Sequence, residues 1–537
     1  FDSPMGNTFS VQQLKHPDFV FHRLIGFCGL GLIVRFLLHR RFLKSLSASV
    51  GLFLYGAAFA TAFRNRRNVA ILKLLFGVGL KQVSFTTSGY VAPGYQSIFR
   101  LFEARMKEGC EIGMQCCIFV KGQKVVDLWS SVDKYEINGA EPLEYTQKSV
   151  QNVFSSSKVA ASIVVAMLVD RGLISYDDLV KKYWPEAAAK HGSLTITQVL
   201  RHEAGLKVFG NHTLELRDLQ KDSVKDNSIG SIIARSDPYW HPDGSGGHYK
   251  RQYHDVSRGW ILNEIVRRVD PQRRTIGEIL SQDIAGPLNL ADSMILGCDQ
   301  HQTFPAPSIA PLEGVSVLWI MLNALMPQAV SKVSPSLTLR NIFETLKGIA
   351  DTSTPKLLRF GVDANNKPFK DAFEFFNRKD WRSSEVPSAN MHASGESLGH
   401  LAGMMANRGT LYNVPVLSKR TCHLSQAEAT VEDTVFGAVP EQGLVRTKFT
   451  QGGFCVYDKE EAPYDLDGSC GWQGYGGSCC KWNTSLQIGM GFAMNSMCPD
   501  IQNIRHKSGS FHNQLFTEAM KCTRNLAQQD TAPAEAS

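Results

Sequence analysis

Phe154-Ser155-Ser156-Ser157-Lys158 runs directly into VAASIVVAMLVDRG (159–172), and this stretch decides what kind of domain the chain forms. From Val159 to Val169 every residue except Ser162 is apolar, which predicts a helix buried in a core. Gly172 is placed to cap its C-terminus. Ser155 and Lys158 are three residues apart, so on a first helical turn both project to one face. A serine hydroxyl is a weak nucleophile until a neighbouring base takes its proton. A partly desolvated lysine can be that base, and the amides of a helix N-terminus favour negative charge developing beside it.

The spacing S-x-x-K carries little weight alone, because it also begins at Ser131, Ser353 and Ser478. Only the Ser155 copy opens a strongly apolar helix. Two other segments give it company. Tyr253-His254-Asp255 lies 98 residues later, just before a predicted helix at Trp260–Val269. A phenol held near a lysine ammonium can ionise and act as general base, and a half-buried tyrosine with a satisfied hydroxyl is the plainer alternative. GWQGYGGS (471–478) is predicted to start a glycine-rich strand. Glycine lets a second chain or a ligand approach the backbone, so an amide here could join that of Ser155 in an oxyanion hole. A simple glycine-rich turn is the alternative.

Element order supports one domain from about residue 83 to 525. A helix is predicted at Tyr95–Met106 and a hairpin at Gly113–Trp129 around Lys121-Gly122. Helix-rich sequence follows over 155–410, including Ser397–Asn407. Strands return at Gly452–Tyr457, Gly474–Lys481 and Leu486–Asn495. A last helix, Gly509–Leu526, precedes a polar tail (526–537) expected to be disordered. Strands at both sequence ends with helices between them predict an α/β fold: one antiparallel sheet built from the two ends, plus an all-helical insertion.

In that order, S-x-x-K, Tyr-x-x and a glycine-flanked triplet on a late strand resemble the class C β-lactamases, the D,D-peptidases and the esterases of the same fold. The segments at 177–206, 253–269, 385–409 and 474–497 resemble further blocks of that family. The resemblance implies the β-lactamase/penicillin-binding-protein fold, with Ser155 as the acylated nucleophile and Lys158 as its proton partner. It implies Tyr253 as the base that shuttles the proton, and the backbone amides of Ser155 and Tyr475 as the oxyanion hole. Two departures stand out. Asp255 occupies a place where these lactamases have Asn. Trp472-Gln473-Gly474 stands where they have Lys-Thr-Gly and many relatives His-x-Gly. Tryptophan cannot supply the charge that pairs with a β-lactam carboxylate. The pocket expected from Trp472, Gln473, Gly474 and His254 therefore suits esters, with Trp472 as an apolar wall for an acyl chain.

The leading expectation is a serine carboxylesterase acting on small or lipid-like esters. The rivals are a catalytically weak, membrane-tethered structural protein of this fold, and a peptidase or amidase acting on D-amino-acid or N-acyl substrates. No cofactor or metal is expected, since His202-Glu203 lacks a second histidine at the metalloprotease spacing.

The net charge of +7 is concentrated at one end, because Phe19 to Phe102 holds eleven Lys and Arg and no acid. No basic face within the folded domain points to nucleic acid. Residues 1–82 are expected to form a basic, hydrophobic region with a membrane helix at 46–63, with 24–38 as a candidate partner for a hairpin. An organellar, mitochondrial-type targeting region is the alternative. Cys116-Cys117 and Cys479-Cys480 fall in strand-like runs, where neighbours point to opposite faces; buried reduced thiols are the reading.

Overall fold

The computed structural model describes residues 84–107, 111–133, 145–239, 251–298, 313–314, 372–427, 430, 433–434, 446–457, 464–497 and 511–531. The membrane helices expected at 46–63 and 24–38, and the apolar stretch that follows Gly314, lie outside them. Among the described residues no helix is long and apolar enough to cross a membrane.

The predicted hairpin forms between Gly113–Val120 and Gln123–Val132. Its turn, Lys121-Gly122, has φ of 49° and 77°, the pair of left-handed residues that matches the twist of the flanking strands. The strands enter a nine-stranded antiparallel sheet. Across it the order is 85–91, 123–132, 113–120, 488–494, 479–483, 469–473, 455–457, 446–449 and 433–434. The two chain ends meet at its centre, where Met114 to Val120 pairs with Met494 to Ile488. One correction follows. Gly474–Ser478 is not strand but the turn between Ser469–Gln473 and Cys479–Asn483, closed by the Gly474 amide donating to the Ser478 carbonyl (2.7 Å), with Gly476 and Gly477 at φ +90° and +123°.

Alternation divides the sheet between two cores. Cys116, Ile118 and Cys479 pack with helices Gln96–Lys107 and Phe511–Thr531, whereas Cys117, Phe119 and Cys480 pack on the opposite face with the helical bulk. Each adjacent cysteine pair is thus split between two interiors, and the nine cysteines among the described residues are free thiols. The C-terminal helix reaches Thr531, five residues beyond its expected end at Leu526, so 527–531 is helix and not tail. The predicted central helix is Ser157–Asp170, buried from Ser157 through Leu168 and closed by Gly172 at φ +69°. Against it pack Ser257–Val269 and Lys419–Gln426, while Gly395–Ala406 lies on the sheet.

Gly395–Ala406 lies unusually close to the sheet. Gly395, Gly399 and Gly403, one turn apart, face Gln115, Cys117 and Phe119, one strand repeat apart. From the neighbouring strand, a Cβ on Gly491 would meet the Gly399 amide nitrogen at 2.0 Å, while one on Gly399 would meet the Cys117 side chain at 2.8 Å. Backbone cannot yield as a side chain can. Gly491→Ala is therefore expected to exceed the roughly 1–3 kcal/mol typical of overpacking, and Gly399→Ala to fall within it. Denaturant melts of the two variants check this; equal losses would contradict the backbone contact.

Candidate active site

A two-residue strand, Gln151–Asn152, pairs with Met391–Ala393 and delivers the chain into the turn Phe154–Ser156 at the head of the buried helix. Phe154 is left-handed there (φ +44°). Such a conformation costs of order 1–3 kcal/mol in a non-glycine residue and persists only where the surroundings over-determine it. They do so here. The Phe154 amide donates to Asn152 Oδ1 (2.9 Å), Val153 N to the Met391 carbonyl (3.0 Å), and Ser157 Oγ to the Phe154 carbonyl. Val159, Ile163, Val164 and Leu168 are fully buried behind the turn, each stabilising by roughly 1.5–3 kcal/mol, which exceeds the strain.

Of the three consecutive serines only Ser155 is half-exposed. Ser156 shares a hydrogen bond with Ser478 Oγ (3.3 Å), and Ser157 accepts from Met391 N (3.0 Å). Ser155 Oγ receives the Tyr253 hydroxyl at 2.7 Å and stands 3.2 Å from Lys158 Nζ. Lys158 is buried, and its amine donates to the carbonyls of Asp255 (2.7 Å) and Ser388 (3.0 Å). Its Nζ lies 4.7 Å from the Tyr253 ring centroid. Ser155, Lys158 and Tyr253 thus meet around one oxygen.

Burial, reinforced by the Arg258 charge, holds the Lys158 amine well below the ordinary lysine range. Removal from water pushes the Tyr253 phenol well up, against the opposing effect of its hydrogen bond with Ser155. Both shifts favour the uncharged forms, an unprotonated amine and a protonated phenol.

Trp472, at the end of strand Ser469–Gln473, is not the open wall expected. It is 4% exposed and packs behind the reacting groups. Its ring stacks 6.2 Å from that of Tyr253 and lies 5.8 Å from Lys158 Nζ. Gln473 leaves the strand on the other face, since it pairs with Cys479 while Trp472 pairs with Cys480. His254 does not line the pocket. Its Nδ1 is bonded to the Gln252 carbonyl (2.6 Å), its Nε2 accepts from Leu206 N (3.0 Å), and burial lowers its pKa to about 3. It is a neutral strut. His202, bonded through Nδ1 to His254 N (2.9 Å), is the other half of that strut.

Gly474 is placed as its residue type requires. A Cβ there would come within 2.1 Å of the Val153 carbonyl oxygen, which also accepts from Ser478 Oγ at 2.8 Å. The turn bearing Tyr475 is thereby pressed against the segment bearing Ser155. The Ser478 copy of S-x-x-K lacks this chemistry: Ser478 is tied to Val153, while Lys481 contacts Asn513.

Three contributors were not read from the sequence. The Asp255 and Ser388 carbonyls that hold Lys158 are backbone atoms, and no residue type announces them. Arg258 did carry a signal: with Ile261, Leu262 and Ile265 it occupies the i, i+3, i+4, i+7 stripe of its helix, all buried.

The family model described as Beta-lactamase matches residues 98–506. Esterase/beta-lactamase LipL of Mycobacterium tuberculosis strain H37Rv is 24% identical over 335 residues, 62% of this chain and 67% of that protein. The crystal structure of a family VIII carboxylesterase superposes with a TM-score of 0.60 at 24% identity, over 81% of this chain and all of that one. A penicillin-binding protein homologue from Caulobacter crescentus gives 0.57 at 22% identity, over 81% of this chain and all of that one. With a family match spanning most of its length and a serine, lysine and tyrosine gathered on one oxygen, this chain belongs to the Beta-lactamase family and is a serine hydrolase of that fold.

Proposed function

We propose that the protein is a carboxylesterase that works through an acyl-enzyme on Ser155. The observation that carries this is the Ser155 oxygen itself, contacted at once by the buried Lys158 amine and the Tyr253 hydroxyl, both held toward their uncharged forms by burial. Two N–H bonds of the Lys158 amine go to the Asp255 and Ser388 carbonyls, which leaves its lone pair for the Ser155 proton.

As Oγ attacks the ester carbonyl, Lys158 takes that proton, and the amides of Ser155 and Tyr475 receive the oxyanion. Tyr253 gives its proton to the departing alcohol oxygen as the C–O bond breaks, and the Lys158 ammonium reprotonates the phenolate. In the second half water attacks the acyl group, passes a proton to Lys158, and Ser155 leaves with a proton regained from the same pair. The carboxylic acid is released and the resting state returns. Lys158 is thus the first proton acceptor, and Tyr253 acts mainly as the acid toward the leaving group. This reverses the emphasis that the family resemblance suggests.

The substrate reading rests on two features. Trp472 brings no cation to a carboxylate-bearing substrate. Beside the nucleophile, the Phe154 ring packs edge-on against Phe376 (4.9 Å) and Tyr475 (5.7 Å), an aromatic flank suited to an apolar acyl group. Similarity to a carboxylesterase and to an esterase/beta-lactamase agrees with this reading.

Fluorophosphonate should label the wild type and not Ser155→Ala, and p-nitrophenyl esters should be turned over faster than matched anilides. A well-folded wild type that does not label would favour a non-catalytic, membrane-tethered role, and preference for anilides an amidase. Because the amine must be unprotonated, activity should persist at neutral pH and fall as acidity reprotonates Lys158; Lys158→Met should lose at least about 10²-fold in kcat/KM. Gly474→Ala, by pushing the Tyr475 turn off Val153, should lower kcat about 10²–10³-fold, and wild-type turnover in that variant would remove the turn from the oxyanion hole.

A further inference from the structure

Arg258 is fully buried within the helix Ser257–Val269, and no carboxylate touches it among the described residues. Its Nε donates to the Leu200 carbonyl (3.0 Å) and Nη2 to Ser162 Oγ (2.7 Å), while Nη1 has no partner. A guanidinium enclosed without an acid is costly, and an apolar side chain of similar volume would avoid that cost. Its surroundings suggest what it does instead. The guanidinium carbon lies 5.7 Å from the Trp472 ring centroid, and Lys158 Nζ lies 5.8 Å from the same centroid.

The groups facing it from every packed element are uncharged or cationic in the resting state. They are Ser162 and Lys158 from the central helix, the carbonyl ending Ile196–Leu200, and His202 beyond it. Gly453 and the Cys455 thiol come from the strand side, with Trp472 and Tyr253 between. Tyr253 and Cys455 are the groups acting on it that can become anions, and the Asp255 carboxylate, which acts on Lys158 and Tyr253, is the opposing charge that Arg258 must outweigh there.

We propose that Arg258 is a positioning residue of this site: locked beneath Trp472, it supplies the fixed positive charge against which Lys158 and Tyr253 divide their proton. The inference rests on the serine-esterase reading above. A positive charge here opposes a second one at Lys158, so the amine stays free to accept from Ser155. It also attracts the phenolate that forms when Tyr253 protonates the leaving group. Burial lowers the Arg258 pKa only to about 10, so the guanidinium remains charged at neutral pH. The same packing fixes the indole that stacks on the Tyr253 ring.

The test follows the rate of fluorophosphonate labelling and p-nitrophenyl ester turnover of the full chain, from about pH 5 to about pH 10, in wild type, Arg258→Gln and Arg258→Lys. In the wild type the rising limb should lie well below the ordinary lysine value of about 10.4. Arg258→Gln should move that limb upward by about one unit or more, lose roughly tenfold or more at neutral pH, and recover toward high pH. Arg258→Lys, keeping a cation at the position, should fall between the two. A merely structural arginine would lower rates evenly with the limb unmoved, and that result overturns the proposal. Should Arg258→Gln fail to fold, the wild type still decides: a limb at the ordinary lysine value overturns the role of the fixed charge. A wild type that labels while the limb ignores Arg258 defeats this inference alone; one that never labels defeats the esterase reading and this inference together.

Discussion

The amine of Lys158 is buried, and the rest of the site is arranged around that fact. An ammonium in the same place would need a counter-charge, and the two groups nearest to it are carbonyl oxygens, of Asp255 and Ser388. Those carbonyls belong to segments more than a hundred residues apart. Their convergence requires the central helix to be sealed on every side, and its uninterrupted burial from Ser157 to Leu168 provides that seal. Hydrophobic packing and acid–base chemistry are therefore one constraint: the core that stabilises the helix is also what keeps its lysine neutral.

Placement of the nucleophile depends on two pieces of backbone that ordinary side chains would spoil. Phe154 is held left-handed, which turns Ser155 outward while Ser156 and Ser157 are consumed by structural bonds. Gly474 allows the turn after Trp472 to rest against Val153. The close fit of Gly395–Ala406 on the sheet belongs to the same economy of space, since it packs against strand 488–494, beside the strand that follows the turn bearing Tyr475.

Trp472 shows how a family position can change its meaning. Where a cation would face the substrate, this chain places a buried indole that supports Tyr253 from behind. Positive charge is not lost from the region but moved inward to Arg258, where it acts on the catalytic groups and has no access to the ligand. On the proposed esterase reading, substrate selection passes to the aromatic flank of Phe154, Phe376 and Tyr475.

Much of this was legible in the linear chain. The apolar run after Lys158 declares a buried helix, the alternation around Lys121-Gly122 a hairpin, and strands at both ends one shared sheet, because periodicity is a local property that burial imposes directly. Ser155, Lys158 and Tyr253 were identifiable because their chemistry needs those side chains. What escaped was whatever depends on direction or on backbone. Gln473 and Trp472 are neighbours in sequence yet leave opposite faces of a strand. His254 adjoins Tyr253 but has both ring nitrogens engaged by backbone. The glycines after Gln473 read as strand and form a turn, and the last helix outran its predicted end. Residue types therefore determined the fold class and the reacting groups, while tertiary structure decided protonation, since the charge a buried amine carries depends on neighbours that only folding brings together.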